Sequence, residues 1–111
     1  MVKLYIPDRG DIVWLDFDPP SGHEQSWHRP AFVISPIAYN QRSSLALLCP
    51  ITSKTKGWKF EVLLTDTKTK GVILADQIKS LDWQARKIDF IEKASEHITN
   101  EVIGKIEALL I

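Results

Sequence analysis

The chain has 111 residues, 44% hydrophobic and 25% charged, with a formal net charge of zero. That length suits one domain burying roughly two thirds of its unfolded surface, and the neutral total excludes a general-purpose nucleic-acid binder, which draws its affinity from excess Lys and Arg. Cys49 is the only cysteine, so no internal disulfide can form, and its apolar neighbours mark a core thiol rather than a nucleophile.

The start, Met1 to Asp8, lacks the apolar centre of a signal peptide, and no apolar run approaches the roughly 20 residues of a membrane span, so a cytoplasmic protein without a membrane partner is expected. Arg9-Gly10-Asp11 reads as a turn and Ile12 to Asp18 as a strand with one wet face. Pro19-Pro20-Ser21-Gly22 breaks it, and a long polar loop runs through Trp27. Pro30 opens the apolar strand Ala31 to Ile34, which Ser35-Pro36 ends; Ile37 to Ser44 is predicted to hold one helical turn with Asn40-Gln41 at its exit. A strand from Leu45 to Thr52 is followed by the polar loop Ser53 to Gly57 and the alternating strand Trp58 to Leu64. After the turn region Thr65 to Gly71 come short strands at Val72 to Ala75, Ile78 to Leu81 and Ala85 to Ile91, with a polar kink at Asp76-Gln77. The end alone reads as a firm helix: Thr99 or Asn100 can cap a stripe of Val102, Ile103, Ile106, Leu109 and Leu110. Many short strands closed by a helix predict a single mostly-β domain over residues 1–111, a small β-rich α+β barrel.

Charge is unevenly spread. Residues 7–24 hold Asp8, Asp11, Asp16, Asp18 and Glu24 against Arg9, whereas residues 25–59 hold Arg29, Arg42, Lys54, Lys56 and Lys59 with no acid, so one segment can present a basic face. The stretch Gly22-His23-Glu24-Gln25-Ser26-Trp27-His28-Arg29-Pro30 delivers a carboxylate, an imidazole and a guanidinium to the mouth of one strand, and Pro50-Ile51-Thr52-Ser53 brings a hydroxyl to the end of another. If the two strands are neighbours, these groups form an anion site. RNA carries its own nucleophile in the 2′-hydroxyl, so a protein that cuts it need only remove one proton, stabilise the phosphorane and protonate the leaving oxygen. A guanidinium keeps its proton and forks onto phosphate oxygens, which casts Arg29 as the phosphate holder and Thr52 as a neutral donor. Glu24 and His28 either carry protons or orient the loop and Arg29. The plain alternative for Arg29 is to neutralise the carboxylates of the first loop.

Trp14 and Trp83 sit among apolar neighbours as core or interface residues, while Trp27 and Trp58 flank the candidate loops and can stack on unpaired bases. Lys54, Lys56 and Lys59 can track a backbone. His23, His28, His97 and Cys49 are not at structural-zinc spacing, and the chain has neither a glycine-rich phosphate loop nor a Gly-x-Ser-x-Gly elbow.

Arg9-Gly10-Asp11-Ile12-Val13-Trp14 with Asp16-Phe17, Gly22-His23-Glu24-Gln25 with His28-Arg29-Pro30-Ala31, Pro50-Ile51-Thr52-Ser53, the stretch Gly57 to Val62, and Gly71 to Ser80 with Ala75-Asp76-Gln77 closely resemble the MazF/PemK toxin endoribonucleases, in order from Tyr5 to Arg86. The resemblance implies an SH3-like barrel of the CcdB/PemK kind, a homodimer that cuts single-stranded RNA, mRNA among it, at a short sequence without metal or cofactor. Such enzymes leave a 2′,3′-cyclic phosphate and a 5′-hydroxyl. Carried to matching positions, Arg29 and Thr52 are the catalytic pair with Glu24 and His28 in support, and Gln25, Trp27, Ser53, Lys54, Lys56, Trp58, Gln77 and Lys79 face the RNA. The resemblance also implies a MazE-like antitoxin whose disordered acidic tail blocks the groove, with residues 25–59 as its natural face, and operator DNA bound only with that antitoxin. Two rivals are a non-enzymatic CcdB-like toxin that binds a protein through the apolar ending Ile106 to Ile111, and an SH3-like binding module without catalysis.

Overall fold

Residues 4–17 and 28–111 are described in the computed structural model. In chain order they form β1 (Asp11–Asp16), β2 (His28–Val33), α1 (Ile37–Ser43), β3 (Leu45–Thr52), β4 (Glu61–Leu63), β5 (Val72–Leu74), β6 (Lys79–Asp82), β7 (Asp89–Lys93) and α2 (Glu96–Leu110). The strands pair antiparallel in the order β4-β5-β3-β2-β1-β7, with β6 also on β3. The mostly-β expectation, with a closing helix, therefore holds.

The eight-residue β3 is the pivot. Its start pairs with β6, from Leu45 against Asp82 to Leu48 against Lys79. Its middle pairs with β2, from Val33 against Leu48 to Ala31 against Pro50, and its end pairs with β5, Ile51 against Ile73 and Thr52 against Val72. Because β5 and β6 meet different ends of one strand, the chain between them must cross over, and Asp76-Gln77 lie in that crossing.

Successive strand residues point to opposite faces, and here both faces are covered. Ile12, Phe32, Cys49, Ile51, Val62 and Ile73 pack with Ile98, Val102 and Ile106 of α2, while Val13, Leu15, Ala31, Val33, Leu48 and Trp83 form a second core. Two cores explain why β2 and β3 read as near-continuous apolar runs rather than alternating ones. Cys49 is fully buried, and its burial, helped by the nearby Asp76 charge, pushes the thiol up to about 12. It is a core residue, as its neighbours suggested.

Five local expectations need correction. Helix α2 starts at Glu96, not after Thr99: the Ser95 side chain accepts from the Ile98 amide at 3.2 Å and caps it, so Ile98 joins the stripe. Leu109 and Leu110, expected on that stripe, are exposed. Helix α1 runs on to Ser43 because Asn40 is no exit marker; it is fully buried, its amide nitrogen donating to the Pro7 and Ser35 carbonyls at 2.7 and 3.0 Å. The last strand is Asp89–Lys93 rather than Ala85 to Ile91, since Arg86 is turned back onto the end of β1, its guanidinium donating to the Asp16 carbonyl at 3.3 Å and also to that of Phe17. The strand expected from Trp58 shrinks to Glu61–Leu63, because the Glu61 amide closes a turn on the Trp58 carbonyl at 3.0 Å.

Candidate active site

The β2–β3 ladder does the first piece of positioning. Its pairing ends at Ala31 with Pro50; Arg29 lies two residues before the one and Thr52 two after the other, and period-two alternation keeps each on the face of that paired neighbour. Both are half-buried, and both line two adjoining cavities of about 570 and 370 Å³. The condition set by the sequence, that the two strands neighbour each other, is met.

Thr52 is prepared as a donor. Its Oγ1 accepts the Lys54 amide at 3.1 Å, which occupies a lone pair and turns the hydroxyl proton toward other acceptors. Beyond it, the larger cavity is also lined by Lys54, Lys56, Gly57, Trp58, Leu74, Asp76 and Gln77. Trp58 is 54% exposed, and its indole N–H donates to Asp76 Oδ2 at 3.0 Å, so the ring is held in place with much of its surface open.

Glu61 organises the intervening loop: its carboxylate accepts from Thr55 Oγ1 at 2.7 Å and from the Lys56 amide at 3.0 Å. The Lys56 N–H and then the Thr55 hydroxyl hold this carboxyl below the usual carboxylate range. Its charge is therefore committed to the loop rather than offered to a substrate.

The sequence-predicted residues divide. Arg29, Thr52, Lys54, Lys56, Trp58 and Gln77 meet around the larger cavity, and Ser53 lines the smaller one. His28 is placed elsewhere: as the strand neighbour of Arg29 it faces the other way, its ring stacked on Trp14 at 5.3 Å and 4°, its Nδ1 2.8 Å from Asp16 Oδ1. That stack also places Trp14, 40% exposed, at the surface, whereas Trp83 is buried as expected. Lys79 is exposed on β6 and lines neither cavity. Glu24, Gln25 and Trp27, with His23, lie outside the described residues.

Sequence reasoning passed over Asp76, Glu61 and Lys70, which also line these cavities. Asp76 had a faint signal as part of a polar kink, and Glu61 as the wet position of an alternating strand. Of the unopposed cations of residues 25–59, Arg29, Lys54 and Lys56 gather here, whereas Arg42 ends α1. Among the described residues, no three His, Cys, Asp or Glu side chains are grouped as a metal site.

Residues 8–110 match the family described as PemK-like, MazF-like toxin of type II toxin-antitoxin system. The endoribonuclease toxin MazF of Escherichia coli K12 is 51% identical over 86 residues, which are 78% of this chain and 78% of that one. The endoribonuclease PemK of Escherichia coli is 33% identical over 108 residues, covering 93% of this chain and 81% of that protein. Among solved structures, a MazE-MazF crystal form from Deinococcus radiodurans superposes with a TM-score of 0.90 at 47% identity, covering 96% of each chain.

Proposed function

The chain belongs to the PemK-like, MazF-like toxins of type II toxin–antitoxin systems, and from that premise we propose that it severs single-stranded RNA where Arg29 and Thr52 line one cavity beyond the end of the β2–β3 ladder. It is an endoribonuclease toxin. The observation that carries the site assignment is the shared lining: a permanent cation and a hydroxyl donor, just past the end of the β2–β3 pairing, both border the two adjoining cavities.

The ribose 2′-oxygen attacks its own phosphorus, the bond to the 5′-oxygen breaks, and the products are a 2′,3′-cyclic phosphate and a 5′-hydroxyl. Arg29 grips the non-bridging oxygens and meets the charge that grows on the phosphorane. Thr52, its lone pair already taken by the Lys54 amide, donates to the same oxygens. Glu24 takes the proton from the attacking hydroxyl and passes it to the leaving 5′-oxygen. His28, turned toward Asp16 and Trp14, supports the site from the end of β2. These groups complete the reaction without metal. Trp58 and Gln77 read bases in the larger cavity, Trp58 by stacking.

An antitoxin is the partner of a type II toxin. A MazE-like acidic tail is the electrostatic complement of the Arg29, Lys54 and Lys56 wall. The toxin works as a cytoplasmic homodimer and meets operator DNA only with that antitoxin.

The test is incubation of the purified protein with long single-stranded RNA in excess chelator, with cut ends mapped by their 5′-hydroxyls. Arg29→Ala should lower kcat by about 100- to 1,000-fold, and Thr52→Ala should lower kcat more than it raises the Kd for RNA. Unchanged cleavage by Arg29→Ala, or no cleavage by the wild type, removes this reading.

A further inference from the structure

The smaller cavity differs from the larger one in charge. Arg29, Lys54 and Lys70 line it, together with Thr52 and Ser53, and among the described residues no acid does, whereas Glu61 and Asp76 enter the larger one. We propose that Lys70, with Lys54, forms a second phosphate subsite beside the Arg29–Thr52 waist, which takes the phosphodiester flanking the one that is cut. The proposal rests on the RNA-cutting role of that waist and adds to it a substrate contact from a distant part of the chain.

Lys70 is exposed, but the backbone that carries it is held in place by construction. The next residue, Gly71, has φ +123°, and a Cβ on it would stand 2.2 Å from the Thr52 carbonyl oxygen. The backbones touch at the very residue that carries the hydroxyl, and Val72 then pairs with Thr52. From the other side, Glu92 of β7 clamps the turn, its carboxylate accepting the Lys68 amide at 3.0 Å, the Thr69 amide at 2.8 Å and the Thr69 hydroxyl at 2.9 Å. The Lys70 ammonium donates to the Thr67 carbonyl at 3.3 Å, which steadies the stem and leaves further N–H donors for an anion.

Such an arrangement has a chemical logic. A chain cut at one phosphate has another phosphate one nucleotide away on each side. A site with bases read on one flank needs an anchor on the other to keep the scissile bond at the waist. A lysine suits that task because it contributes charge without demanding a fixed oxygen geometry.

The experiment uses an RNA oligonucleotide that spans a mapped cut site and carries 2′-deoxyribose at the cut position, so that binding is read without cleavage. Lys70→Ala should bind several-fold more weakly, with the slope of log affinity against log salt reduced by about 0.7, the single-strand value for one phosphate contact. Lys70→Arg should restore both. Replacing phosphates one at a time by neutral methylphosphonates should reveal one flanking position where the wild type drops to the level of Lys70→Ala and the variant loses nothing more. Equal affinity and slope in wild type and Lys70→Ala, or equal losses for both proteins at every methylphosphonate, would overturn the subsite. If the wild type fails to cut the all-ribose version, the reading of the waist fails instead, so the two failures are told apart.

Discussion

The two walls of the larger cavity are built on different footings. Arg29 and Thr52 extend a ladder whose members Ala31, Phe32, Val33, Leu48 and Cys49 are wholly buried between two cores. By contrast, residues 53–59 are exposed throughout and are held by polar ties to Glu61 and Asp76 that water can compete for. Buried packing is collectively strong, whereas each exposed tie is weak. The consequence is a division of labour: Arg29 and Thr52, which meet the reacting phosphate, sit on the wall that cannot shift, and Trp58, which stacks on a base, sits on the wall that can adapt.

Damage to the fixed wall should therefore cost the most. In Gly71→Ala the new methyl must displace the Thr52 carbonyl, 2.2 Å away, in a backbone conformation that disfavours any side chain. Displacing a catalytic group by about 1 Å costs roughly 100-fold, so kcat should fall by about that factor at temperatures where circular dichroism shows the variant folded. The cut sequence should not change. Wild-type kcat in Gly71→Ala would mean the wall yields after all. Trp58→Ala strikes the other wall and should act differently, weakening RNA binding by about tenfold, within the range for loss of one base stack. Sequencing of cut ends should show relaxed preference next to the cut with kcat nearly kept. A kcat loss equal to that of Gly71→Ala would erase the contrast.

The fixed wall was also the more legible one. Ala31 to Ile34 and Leu45 to Cys49 are apolar enough to be strands under any reading, so the proposal that Arg29 and Thr52 end up together needed only that the two be adjacent. The adapting wall was half legible: Trp58 and the lysines stood out by residue type, but the turn that removes Trp58 from its strand depends on a hydrogen bond to Glu61 that no periodicity announces. Lys70 was not legible at all. Its place follows from a three-residue strand, β5, and a glycine pressed against a backbone eighteen or so residues earlier in the chain, both tertiary facts. The misplaced start of α2 has a plainer cause: Ser95, Thr99 and Asn100 are all competent caps, and the packing of Ile98 into the core chooses among them. His28 shows the limit of residue type as a guide, because adjacency to Arg29 in sequence means opposition in a strand.

The smallest effect, and the most specific, belongs to Glu61. Its carboxyl is held below the ordinary value of 4.5 by the Lys56 amide and the Thr55 hydroxyl. A group whose folded value is depressed contributes order that is complete above the ordinary value and disappears as pH falls through the folded one. Acidification below about pH 4.5 should thus loosen residues 55–57 while the β2–β3 ladder stays intact. Hydrogen exchange at single amides separates the two: protection at Lys56 should fall with acid, and protection in the ladder at Phe32 should not. Glu61→Gln keeps an acceptor oxygen but has no charge to lose, so its Lys56 protection should be weaker at neutral pH and flat across the same window, with cleavage at neutral pH reduced only two- to threefold, about the worth of a weak exposed hydrogen bond. If Lys56 and Phe32 instead lost protection together in the wild type, loop and ladder would be one cooperative unit, and the adapting wall would be as rigid as the fixed one.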